Sequence, residues 1–263
     1  MKRSLLLSLI LVQIVAMSCS TDNDSDNNST TGNNDTENPT SHLQSTGSSS
    51  NDLLSSTTFN SMVVELVYVE GFEPSQTSVD NFVSFLEART FKPNGITVEK
   101  RVIVSPGNAP YTNTEIRSIE DANRTKFNTG NEIAVWAFFA DGSSANDSGS
   151  GVVLGTAYRN TSFVIYQETI QDLSNSAFEP NRSVLETTVI THEFGHILGL
   201  TNLGAPLQSA HEDAEHEKHC DVESCLMYWA SETGSGISNL VGQSQSPQLD
   251  AQCIADLQAN GGK

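Results

Sequence analysis

Apolar positions along the chain switch between two periodicities, and their order outlines alternating strands and helices. Residues 62–69 form a run rich in β-branched side chains, which predicts a strand. Val79, Phe82, Val83 and Leu86 follow at helical spacing, behind a cap-like stretch from Thr77 to Asp80. Residues 96–104 return to a strand pattern. Thr112 and Glu115 then make a capping box that opens a weaker helix through Ile116 and Ile119. Residues 133–140 are apolar throughout and stop at Asp141 and Gly142, as expected of a central strand covered on both faces. Beyond a Ser/Gly loop at 142–151, residues 152–158 and 162–166 read as two more strands.

The next periodic stretch differs. Val184, Leu185, Val189, Ile190, Phe194, Ile197, Leu198 and Leu200 fall on nearly every helical face, which predicts a buried helix. Ser183 and Glu186 have the capping-box spacing, and Gly199 sits where the helix needs a residue tolerant of positive φ in order to stop. Residues 246–257 predict a closing helix with Ser246 as cap and Pro247 at its first position. Strand, helix, strand, helix, further strands and then the buried helix imply an α/β layer with a twisted mixed sheet.

Upstream of all this, Lys2 and Arg3 precede an apolar run from Leu5 to Met17, too short to span a bilayer and built like an export signal over residues 1–18. Small residues at Ala16 and Ser18 lead into Cys19, a lipobox-like site, so the expectation is an exported protein anchored to a membrane surface by a lipidated Cys19. Residues 19–57 are mostly Ser, Thr, Asn, Asp and Gly, which predicts a disordered tether. One domain, residues 58–263, remains, long enough for a substantial core and read as a monomer. The formal charge of −19 becomes −21 once Lys2 and Arg3 leave with a signal that holds no acid. Such a surface repels phosphate backbones and argues against nucleic acid as a partner.

Chemistry concentrates in one place. His192 and His196, four residues apart on a helix, project from one face and can reach one ion. Glu193 beside them completes His-Glu-x-x-His, the spacing in which a glutamate serves as general base in zinc peptidases. Of six histidines in the chain, His192, His196, His211, His216 and His219 fall within 28 residues. The third ligand is open between His219 and His211, with Asn202, His216 and Asp213 behind them. The acidic stretch 203–218 reads as a solvated loop or, alternatively, a wall of the cleft. Cys220, Cys225 and Cys253 leave one thiol over in any disulfide pairing. A structural ion held by the three thiolates and a histidine is the other reading.

Taken together, His192-Glu193-x-x-His196-x-x-Gly199 and His219-Cys220-x4-Cys225-x-Met227 resemble the metzincin metallopeptidases, most closely the archaemetzincins, over residues 192–227. The resemblance implies a zincin-like α+β fold with two packed helices, a buried active-site helix, and a small C-terminal subdomain carrying a Met-turn and a terminal helix. It implies one catalytic Zn2+ on His192, His196 and His219, Glu193 as base and acid, Met227 in the Met-turn, and a peptide or protein as substrate, lying extended along an edge strand. The chain departs from the family pattern twice. His219 lies 20 positions after Gly199, 17 more than the family's three-residue step, and a later Cys-x-x-Cys is reduced to Cys253. Two rival readings are a non-catalytic surface binding protein and a structural zinc protein; the intact Glu193 speaks against the first.

Overall fold

The computed structural model describes residues 40–148 and 151–263. The export signal, Cys19 and the first part of the expected tether lie outside the described residues. Among the described residues, no helix is long and apolar enough to cross a membrane.

The strands β1 (Ser61–Val69), β2 (Ile96–Ile103), β3 (Glu132–Phe139), β4 (Gly155–Arg159) and β5 (Ser162–Ile165) pair in the order β2-β1-β3-β5-β4. All neighbours are parallel except β4, which runs antiparallel to β5 at the sheet edge. The expected mixed sheet is therefore present, with β3 between β1 and β5. Its side chains alternate between two cores, because successive residues of a strand point to opposite faces. Ile133, Val135, Ala137 and Phe139 face one core; Trp136, Phe138 and Ala140 face the other. The first core is closed by Val79, Phe82 and Leu86 of α2 (Gln76–Arg89) and by Leu185, Val189 and Phe194 of α5 (Arg182–Ile197). Ile116 and Ile119 of α3 (Asn113–Asn123) close the second.

Helix ends show where local chemistry held and where tertiary contacts overrode it. Thr112 and Glu115 form the expected capping box on α3. At α5, Glu186 does not turn back to Ser183. Its Oε2 accepts from Ser75 N at 2.9 Å, and its Oε1 accepts from Gln167 Nε2 at 2.6 Å. Asn181 caps α5 instead, accepting from Ser183 N at 2.9 Å. The N-cap of α2 is Ser75, two residues before the expected stretch. The closing helix is α7 (Ala251–Ala259), capped by Asp250, so Ser246 and Pro247 belong to the loop before it.

The expected tether is corrected over residues 40–57, which pack onto the domain. Leu53 and Leu54 of the short helix α1 (Ser50–Leu54) are fully buried in the first core. Ser50 Oγ donates to Leu198 O at 2.5 Å, satisfying a carbonyl at the end of α5. Lys92 fastens the same segment from β2's side: its Nζ donates to Asp52 O at 2.8 Å, to Phe59 O at 2.7 Å, and to Ser55 O. Burial pulls this ammonium down to about 8, so it stays charged at neutral pH and can serve all three carbonyls. Lys92→Met is expected to cost about 2 kcal/mol by leaving buried acceptors unmet. A urea titration would show it as a lower midpoint at unchanged slope.

Candidate metal centre

Helix α5 carries His192, Glu193 and His196 into the interior; His192 and Glu193 are fully buried. The helix stops as its glycine requires. Gly199 has φ of +83°, its N–H donates to His196 O at 3.0 Å, and Leu200 N donates to Gly195 O at 3.1 Å. These two bonds make a Schellman turn, which frees the chain to leave directly after the second histidine. Gly195 has a packing reason as well. A Cβ there would lie 2.3 Å from Met227 Sδ, so the glycine lets Met227 seat against α5. The turn around Met227 also supplies Leu226 O, which accepts from His192 Nδ1 at 2.7 Å.

The structure brings His219 to the pair and leaves the other candidates elsewhere. The ligand atoms of His192, His196, His219 and Glu232 all lie within 4.8 Å of one another. His192 Nε2 and His196 Nε2 are 3.1 Å apart. Atoms bound tetrahedrally to zinc at about 2.0–2.1 Å stand about 3.3 Å from each other, close to this spacing. The tautomers agree. A carbonyl can only accept, so His192 Nδ1 carries the proton toward Leu226 O. His219 Nδ1 does likewise toward Glu217 O at 3.0 Å. With Nδ1 so engaged in both rings, Nε2 of each is left facing the same point. Burial pulls His196 down to about 4, so its ring is neutral at physiological pH. With His196 Nε2 beside them, these ring nitrogens stand at the spacing a shared cation would set, and the donor set fits zinc.

Glu193 stands next to this point, and neither carboxylate oxygen has a hydrogen-bond partner. Burial first, then the charge of Glu232, holds its carboxyl well above the ordinary carboxylate range. Gly155 on the edge strand makes room for it: a Cβ there would come within 2.7 Å of Glu193 Cγ and Oε1. A cleft of about 190 Å³ opens onto Glu193, His196 and His219, lined also by Thr156 and Ala157 of β4.

His211 is buried against α7, its Nε2 2.8 Å from Asp256 Oδ2. His216 pairs with Asp213 through Nδ1 at 2.9 Å and stacks on Trp229 with ring centroids 4.3 Å apart. Asn202 Nδ2 donates to Glu212 at 3.3 Å. The stretch 203–218 is thus neither wholly solvated nor a source of ligands. It is pinned by Asp256, and Leu203 and Lys218 reach the cleft wall. Glu232 escaped the sequence reading because no spacing rule links it to a motif; it joins the histidines only through the fold.

The expected disulfide is corrected. Cys220, Cys225 and Cys253 are all free, with Cys225 Sγ and Cys253 Sγ 3.7 Å apart, far beyond a bonded pair. With Asp250 they form a second compact group within 4.8 Å. Sulfurs bound tetrahedrally to zinc at about 2.3 Å would stand about 3.8 Å apart, so this cluster has the dimensions of a structural site.

No protein-family model matches the chain, and no curated protein does. Among solved structures, the archaemetzincin of Methanopyrus kandleri superposes with a TM-score of 0.50, at 19% identity, covering 76% of this chain and 96% of that one. The chain thus has an archaemetzincin-like metzincin fold, the fold expected from residues 192–227.

Proposed function

We propose that this chain is a zinc metallopeptidase, hydrolysing peptide bonds with Glu193 as the acid–base residue. The observation that carries the reading is three imidazole nitrogens converging beside a buried carboxylate that has no other partner. His192, His196 and His219 would hold one zinc, oriented by Leu226 O and Glu217 O behind the rings. Zinc in such a site supplies Lewis-acid polarisation of the scissile carbonyl and brings the pKa of water to about 7. Glu193 would take the proton of the attacking water and deliver it to the departing nitrogen. The edge strand β4 offers its backbone to an extended peptide. The groove there is short, because Thr46 Oγ1 donates to Ala157 O at 3.2 Å and residues 232–234 pair with 152–154. The lipid on Cys19 would set this peptidase on the exported face of a membrane.

The test is metal content against hydrolysis. The purified protein is expected to carry zinc, to cleave a mixed peptide library, to lose cleavage on chelation and to regain it with added Zn2+. His192→Ala is expected to release the zinc of the histidine site; an equivalent retained by that variant belongs to the cysteine cluster. Full cleavage by chelated protein would overturn the reading.

A further inference from the structure

The reaction as derived leaves one member of the histidine cluster without a role. Glu232 ends a 3-10 turn, Trp229–Glu232, and its backbone is fastened to the segment that leads into β4. Glu232 O accepts from Leu154 N at 2.9 Å, and Gly234 N donates to Val152 O at 3.0 Å. The turn delivers the carboxylate to the histidines: Oε2 lies 3.7 Å from both His192 Nε2 and His196 Nε2, and Oε1 lies 3.3 Å from His219 Nε2. Contacts of that length are poor hydrogen bonds. The tautomers derived above make them acceptor against acceptor for His192 and His219, and His219 Nε2 has no hydrogen-bond partner. What reconciles the acceptors of His192, His219 and Glu232 in one place, beside His196 Nε2, is a single cation inside all of them. The oxygen–nitrogen separations approach the spacing of about 3.3 Å between ligands of a tetrahedral zinc, so the carboxylate stands where a fourth ligand would.

We propose that Glu232 is the fourth zinc ligand of the resting protein, closing the position that hydrolysis needs open, so that the site is self-capped until substrate displaces the carboxylate. This rests on the zinc reading above and adds regulation to it. Structural zinc sites are closed by four protein ligands, whereas catalytic ones keep a vacancy; this site holds the means for both states. The side chain is 26% exposed, so rotation toward solvent can open the position without breaking the backbone bonds that hold the turn.

The experiment uses the zinc-loaded protein and its cobalt-substituted form. Glu232→Gln keeps the shape of the side chain and removes its charge. It is expected to weaken zinc binding at least 10- to 100-fold in a chelator competition, the range seen when supporting carboxylates are lost. Azide, a small anionic ligand, is expected to change the cobalt absorption spectrum of E232Q and to leave that of the parent unchanged, because only the variant has a vacant position. Equal zinc affinity and equal azide response in the two proteins would overturn the proposal while leaving the histidine site intact. If the parent binds no zinc, or if His192→Ala keeps it at that site, the zinc reading itself falls. Should E232Q not fold, Glu232→Asp, whose shorter reach breaks the same contact, is read by the same two measurements.

Discussion

Glu193→Gln is expected to lower peptide hydrolysis by about 10²- to 10⁴-fold, the contribution of a positioned acid–base group, while zinc content stays at the parent level. The amide has nearly the same shape but cannot accept the water's proton. The ion should remain because Glu193 is outside the set of groups that converge, which is His192, His196, His219 and Glu232. Stability should not fall either. The carboxyl is fully buried and neither oxygen meets a hydrogen-bond partner, so an amide of the same shape breaks no bond. Steady-state kinetics, metal analysis and a melting curve on one preparation separate these effects. A variant that still cleaves at the parent rate removes Glu193 from the chemistry.

The second large effect is expected far from the cleft. Asp256→Ala should destabilise the domain by about 2–5 kcal/mol, the cost of leaving two buried hydrogen-bonding groups unmet. Asp256 is fully buried on α7 and serves two partners: Oδ2 meets His211 Nε2 at 2.8 Å and Oδ1 accepts from Gln208 N at 2.6 Å. Without it a buried imidazole and a backbone N–H are left unmet, in the stretch that leads to His219. A fall in Tm on the order of 10 °C is expected for a domain of this size. A Tm unchanged from the parent would mean that the loop is held by something other than this pair.

The parts of the fold that were legible in the sequence are those decided by neighbours along the chain. The apolar run of β3, the Thr112–Glu115 box and the Gly199 stop are each complete within one turn or strand. His192 and His196 were legible for the same reason, and His219 through its place before Cys220. What was not legible required partners from elsewhere. Glu186 has the right spacing for a capping box but bonds Ser75 and Gln167, which only the tertiary fold supplies. The Ser-rich stretch before Leu53 reads as solvated chain. Ser50 instead meets the buried carbonyl of Leu198, and Leu53 and Leu54 at the end of the stretch are buried in the core. The cluster of Cys220, Cys225 and Cys253 with Asp250 required the fold as well, since Cys253 comes to the other two only through α7. Glu232 has no local signature at all.

The docking of α1 has an outcome for how this molecule comes into being. Ser50 Oγ caps the carbonyl of Leu198 and itself accepts from Asn260 Nδ2 at 2.5 Å, while Asn51 Nδ2 donates to Asn260 O at 2.8 Å. The seam over the end of the ligand helix is therefore sewn from residues about 210 positions apart in the chain. Contacts of such separation form late, since the intervening loop must close first. A nascent chain emerging from the ribosome holds the histidine pair long before Asn260 has been made. The end of the ligand helix is in this way sealed only once segments from both flanks of the domain have met, which makes its closure a late event of folding.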